Sequence, residues 1–160
     1  MDTASPASLP RSRPAAAILV GGLLGGGFDL AFALIFYGLR GVAPMRVMQS
    51  IASGLLGMES FRGGWPTAIL GVGCHFVIAL GAATVFYLAS RRLRFMTDRA
   101  VISGTLFGAC IYFFMHLVVL PLSAAPKFKH TAVSVVSDFA VHLFLIGPSI
   151  ALAMRRYARR

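Results

Sequence analysis

Four long apolar stretches divide the chain. They run from Ala15 to Leu39, from Thr67 to Ala89, from Ala100 to Leu120, and from a start between Val133 and Asp138 to Met154. Each holds about 17 to 25 residues, and a helix of that length crosses a hydrocarbon core of about 30 Å. None shows the two-residue alternation of a half-buried strand, so all four read as helices. Helices and closed barrels are the structures that cross lipid without stranding backbone polar groups. The pattern predicts an all-α, integral membrane four-helix bundle with spans at about 15–39, 67–89, 100–120 and 135–154. Residues 1–14, rich in Ser, Pro and Ala, read as a disordered cytoplasmic tail, and 155–160 as a basic cytoplasmic tail around the transmembrane domain 15–154. The first run is longer than a signal-peptide core and no A-x-A site follows it, so it is expected to stay as a span.

Between the first two spans, "GVAPMRVMQSIASGLLGMESFRGGW" is too long for a turn. Pro44 suits a helix start. Met48, Ile51, Leu55 and Met58 recur at helical spacing, with Arg46, Gln49, Ser50 and Ser53 between them. The expectation is a short amphipathic helix from Pro44 to Met58, lying on the outer interface and capping the bundle, with a re-entrant hairpin as the rival. The second outer loop, "PLSAAPKFKHT", is polar and stiffened by Pro121 and Pro126.

Composition agrees with the pattern. The chain is 58% hydrophobic and 12% charged, against about a quarter charged in soluble domains. Its net charge is +10, which in a soluble chain would suggest nucleic acid. Here the basic residues flank the spans, and no nucleic-acid recognition module has room beside them. Their role is topology and attraction to anionic lipid headgroups at the cytoplasmic face. Arg11, Arg13, Arg91, Arg92, Arg94, Arg99, Arg155, Arg156, Arg159 and Arg160 fall on one side; Arg40, Arg46, Arg62, Lys127 and Lys129 on the other. The richer side is expected to be cytoplasmic, with both termini inside. Cys74 and Cys110 lie in apolar runs without metal-finger spacing and read as small core-filling thiols.

Small residues mark the packing faces. Gly21, Gly22, Gly25 and Gly26 form overlapping GxxxG pairs in the first span, and Gly104 and Gly108 another in the third. Such pairs let backbones approach closely in lipid. Packing within the monomer is expected ahead of a homodimer or another membrane subunit as partner. In the second span Gly71, His75, Ala79, Ala82 and Ala83 share the face expected to point inward, leaving Phe76, Leu80 and Tyr87 for lipid.

The candidate chemistry is one polar cluster. Asp29, His75, His116 and His142 sit one per span, all in the outer half, with Asp138 four residues before His142 and the loop His130 just above. A charged side chain at mid-membrane costs about 2.5 to 3.5 kcal/mol on insertion scales, so it must face inward and find partners. Asp29, His75 and His142 are expected at the centre of a pocket open toward the periplasm, with His116 and Asp138 at its edge. Three readings follow. The cluster is a hydrogen-bonded network that fixes helix register; or it handles protons or a small solute, since imidazole titrates near neutral pH; or it binds a transition metal or haem b, with His75, His116, His142 and Asp29 as ligands. Soluble-enzyme motifs such as GxSxG, the P-loop and HExxH are missing, and Asp138, His142, Ser134 and Ser149 offer no nameable oxyanion donor, so an enzyme is not expected.

The stretches "FDLAFALIFYGLRGVAPMRVMQSIASGLLG", "GCHFVIALGAATVFYLASRR" and "FMHLVVLPLSA" resemble an uncharacterised family of small four-span bacterial inner-membrane proteins. The likeness covers Gly22 to Met154. It implies an inner-membrane location and four spans, and it supplies no catalytic residue.

Overall fold

A computed structural model describes residues 13–127 and 131–158. The expected N-terminal tail up to Ser12, together with Lys129, His130, Arg159 and Arg160, lies outside the described residues. Among those described there is no strand. Four helices are long and apolar enough to cross a membrane: α1 (Pro14–Gly38), α3 (Gly64–Arg92), α5 (Ala100–Leu122) and α6 (Ala132–Tyr157). The chain is a multi-pass membrane protein built as an all-α four-helix bundle. Between α1 and α3 lie the short α2 (Pro44–Leu56) and a 3-10 turn (Gly57–Arg62), and between α3 and α5 the one-turn α4 (Phe95–Asp98).

The spans run past the expected limits because backbone hydrogen bonding, unlike hydropathy, does not stop at the first polar residue. α3 starts at Gly64, and α6 continues through Arg155 and Arg156 to Tyr157, so both helices outrun the hydropathy limits. The N–H of Arg13 donates to the carbonyl of Tyr157 at 2.7 Å, which brings the two ends of the bundle's chain together. The face holding them and α4 is the terminal face; the face holding α2 and the segment after α5 is the loop face.

α1 and α6 form the central pair, α3 packs on α1 and α5 on α6. Glycines set these distances. A Cβ on Gly22 would stand 2.7 Å from Leu80 and one on Gly26 2.9 Å from Ala79 and 3.1 Å from Phe76, both on α3. Gly21 and Gly25 meet Ala153, Ile150 and Ile146 of α6, while Gly104 and Gly108 of α5 press on the backbone of α6 at Gly147, Pro148 and His142. All are contacts within one chain.

Two face assignments are corrected. Phe76 and Leu80 fill the grooves over Gly26 and Gly22, and Tyr87 packs on the core, so none is left for lipid; the exposed face of α3 carries Val77, Val85 and Leu88. Bulk on α3 matches absence of bulk on α1. Gly71 does face inward, but toward α2, where a Cβ would meet the carbonyl of Met48. Cys110 is exposed and Cys74 half-buried, so Cys110 is no core filler; both are free thiols.

The second correction concerns α2. Its buried residues are Val47, Gln49, Ala52 and Ser53, while Leu55 and Met58 are exposed. The helix is amphipathic as expected, but the side it buries carries Gln49 and Ser53 as well as Val47 and Ala52. There Gln49 Nε2 donates to the carbonyl of Gly64 at 3.0 Å and to Thr67 Oγ1 at 3.2 Å. Burial against α3 is therefore mixed, polar beside apolar. The second loop docks on α2 through Ala124 N–H to the carbonyl of Gly54, 2.9 Å.

Both α5 and α6 contain a π-helical turn, Met115–Val119 and His142–Ile146. Each ends two residues before a proline, Pro121 and Pro148. Proline has no N–H to donate back, and its ring crowds the carbonyl four residues earlier, so the helix widens ahead of it. His116 and His142 sit in these widened turns, and π-bulges are frequent at functional sites.

Candidate intramembrane Asp/His site

Each helix delivers its polar group to a similar depth. Counted from the loop-face helix ends at 1.5 Å per residue, Asp29 lies about 13 Å in, His142 about 15 Å, His75 about 16 Å, and His116 and Asp138 about 9 Å. His75 is deeper than the hydropathy boundary at Thr67 suggested because α3 begins at Gly64.

Each imidazole spends one nitrogen on a backbone carbonyl. His75 Nε2 is 2.8 Å from the carbonyl of Gly26. His116 Nδ1 is 2.9 Å from that of Tyr112, and His142 Nδ1 is 2.9 Å from that of Asp138. A carbonyl only accepts, so these three nitrogens carry the protons and donate them, which fixes the tautomers. The close glycine contact between α1 and α3 is what lets His75 reach Gly26.

The other nitrogens of His75 and His116 face carboxylates. His75 Nδ1 lies 3.9 Å from Asp29 Oδ2, and His116 Nε2 lies 3.6 Å from Asp138 Oδ2. His142 shares its Nδ1 proton with Asp138 Oδ1 at 3.3 Å. One ligand atom each from Asp29, Asp138 and His142 falls within 4.8 Å of the others. Tyr112 supports the histidines on α5 and α6: its ring stacks on His116 with centroids 4.1 Å apart and meets His142 edge-on at 5.5 Å.

Asp29, His75, His116, His142 and Asp138 therefore come together, but not with the expected centre. Asp138 touches both His116 and His142 and closes on Asp29, whereas the expectation placed it at the edge. Asp138 and His142, four residues apart, share one face of α6, and that face meets α1 at Asp29. The converging donor set is Asp29, Asp138 and His142, not the set of three histidines and Asp29. His75 Nε2, the usual haem ligand atom, is engaged by Gly26, which works against a bis-histidine haem on His75 and His142. Tyr112 was missed by sequence reasoning; its position four residues before His116 was the available signal. Thr131 caps the start of α6 by accepting from the N–H of Ser134 at 3.2 Å, which anchors the segment leading to Asp138.

Comparison with family models, curated proteins and solved structures finds no match.

Proposed function

We propose that the chain is a bacterial inner-membrane protein, with both termini cytoplasmic, whose Asp/His cluster takes up and exchanges protons in the periplasmic half of the bilayer. Orientation is supported by ten Lys and Arg assigned to the terminal face against five on the loop face, since positive charge favours the cytoplasmic side. Those arginines also face anionic lipid headgroups. The resemblance to four-span inner-membrane proteins supports the same compartment.

One observation carries the proton reading. In His75 and His116 the nitrogen left over after the backbone hydrogen bond faces a carboxylate oxygen. Neutral imidazole would present a lone pair to an anion there. Each pair is favourable only with one more proton, held by the ring or by the acid. Each pair thus holds a proton shared between ring and acid. The test is infrared titration in nanodiscs. A protonated-carboxyl band that titrates and is lost in Asp138→Asn is expected. A band set unchanged by both Asp29→Asn and Asp138→Asn would overturn the proposal.

A divalent transition metal is the second reading, favoured by the convergence of Asp29, Asp138 and His142 within 4.8 Å. Two oxygens and one imidazole nitrogen suit zinc, manganese or iron. Metal analysis with an optical spectrum decides: stoichiometric metal that disappears in Asp138→Asn would replace the proton reading, and a Soret band would establish haem.

A further inference from the structure

We propose that the cluster is a one-sided well: water and small cations reach it from the loop face, and an apolar plug closes it from the terminal face. One-sidedness deepens the proton reading, and rests on it, by naming where the cation comes from.

Exposure falls along the cluster. The side chains of Asp29, Asp138 and His116 are 30%, 30% and 29% exposed, those of His75 and His142 13% and 8%. Lipid is a poor solvent for that exposed carboxylate surface. Water has to meet it, which requires a crevice. Polar groups mark its course to the loop face. Thr131, the N-cap of α6, and Ser134 in its first turn stand beyond Asp138.

The opposite direction is shut. Below the cluster Ala17, Ala83, Phe86, Ile146, Ile150, Ala151 and Met154 are each 5% exposed or less and pack as one core. The glycine contacts at Gly21 and Gly25 against Ile150, and at Gly104 against Gly147, bring backbones together with no room for a water file. Among the described residues of the four spans, no carboxylate, imidazole or basic side chain lies between the cluster and the flanking arginines. The well contains two carboxylates and neither Lys nor Arg, so it selects cations; protons and small hydrated metal ions share that chemistry.

The experiment is sided labelling with a membrane-impermeant charged methanethiosulfonate in a Cys74→Ala, Cys110→Ala background. Leu122→Cys marks the loop face and Leu93→Cys the terminal face, both being exposed positions. Asp138→Cys and His116→Cys are expected to label in the vesicle orientation that labels Leu122→Cys, and at least tenfold more slowly in the orientation that labels Leu93→Cys. Ile150→Cys is expected to stay unlabelled in both. His116→Cys keeps the test open should Asp138→Cys misfold. Labelling from the terminal face, from both faces equally, or at neither cluster position overturns the proposal. The wild-type protein reconstituted in liposomes should dissipate a pH gradient no faster than protein-free vesicles; faster dissipation also overturns it. Two-sided labelling with the carboxyl titration intact removes the well alone. Loop-face labelling with that titration unaffected by both carboxamide variants removes the proton site alone.

Discussion

Gly108→Ala tests whether glycine contacts build the site. A Cβ at this position would stand 2.7 Å from the carbonyl carbon of His142 and 3.3 Å from Leu143 Cα, and would also meet the His142 carbonyl oxygen. Ordinary contact starts near 3.4 Å, so α5 and α6 must part by at least ~0.7 Å, from 2.7 to 3.4 Å. A gap of that order forfeits about a quarter to a half of each van der Waals well along the seam. Overpacking of this kind costs about 1–3 kcal/mol, and every ~1.4 kcal/mol is tenfold in the folded-to-unfolded ratio. The assay is steric-trap or denaturant unfolding in bicelles, beside Gly27→Ala, whose Cβ would meet nothing within 4 Å. Gly27→Ala is expected to be neutral or up to about 1 kcal/mol more stable from helix propensity. Equal stability of the two variants would refute the claim that α5 is held on the His142 turn by backbone contact.

Other expectations follow from single side chains. Phe86→Ala removes a fully buried ring that meets Phe107 edge-on at 5.0 Å; lipid supplies no water-transfer term, so the loss should be about 1–2 kcal/mol, the packing part of a soluble-core Phe→Ala, read in the same unfolding assay. Gln49→Leu deletes the donor to Gly64 and Thr67; it should expose α2 to proteolysis while leaving the spans folded, and an unchanged cleavage pattern would contradict the holding of α2 on α3 through Gln49. Tyr112→Leu removes the ring between His116 and His142; the ring nitrogen resonances of both histidines should broaden, with His75 unaffected.

Much of this architecture is legible in the chain. Length and apolarity give the four spans, and depth alone places Asp29, His75, His116 and His142 in one layer. What escapes is orientation about each helix axis. Phe76 and Leu80 look lipid-facing until Gly22 and Gly26 on α1 are seen to receive them. Gln49 and Ser53 look solvent-facing until the partner surface of α3 is known, because hydropathy cannot say which side of an amphipathic helix meets protein. The central place of Asp138 depends on rotation about the α6 axis: four-residue spacing puts Asp138 and His142 on one face, but does not say that this face meets α1. Pro148, six residues after His142, marks a disturbed helix without fixing that direction.

The most direct measurement of the central claim is ring nitrogen-15 NMR of the histidines in nanodiscs, comparing the wild-type protein with Asp29→Asn and Asp138→Asn. Asp138→Asn is expected to shift His116 and His142 while sparing His75, and Asp29→Asn to shift His75. Histidine signals indifferent to both substitutions would mean that the carboxylates and imidazoles do not share protons, contradicting the site.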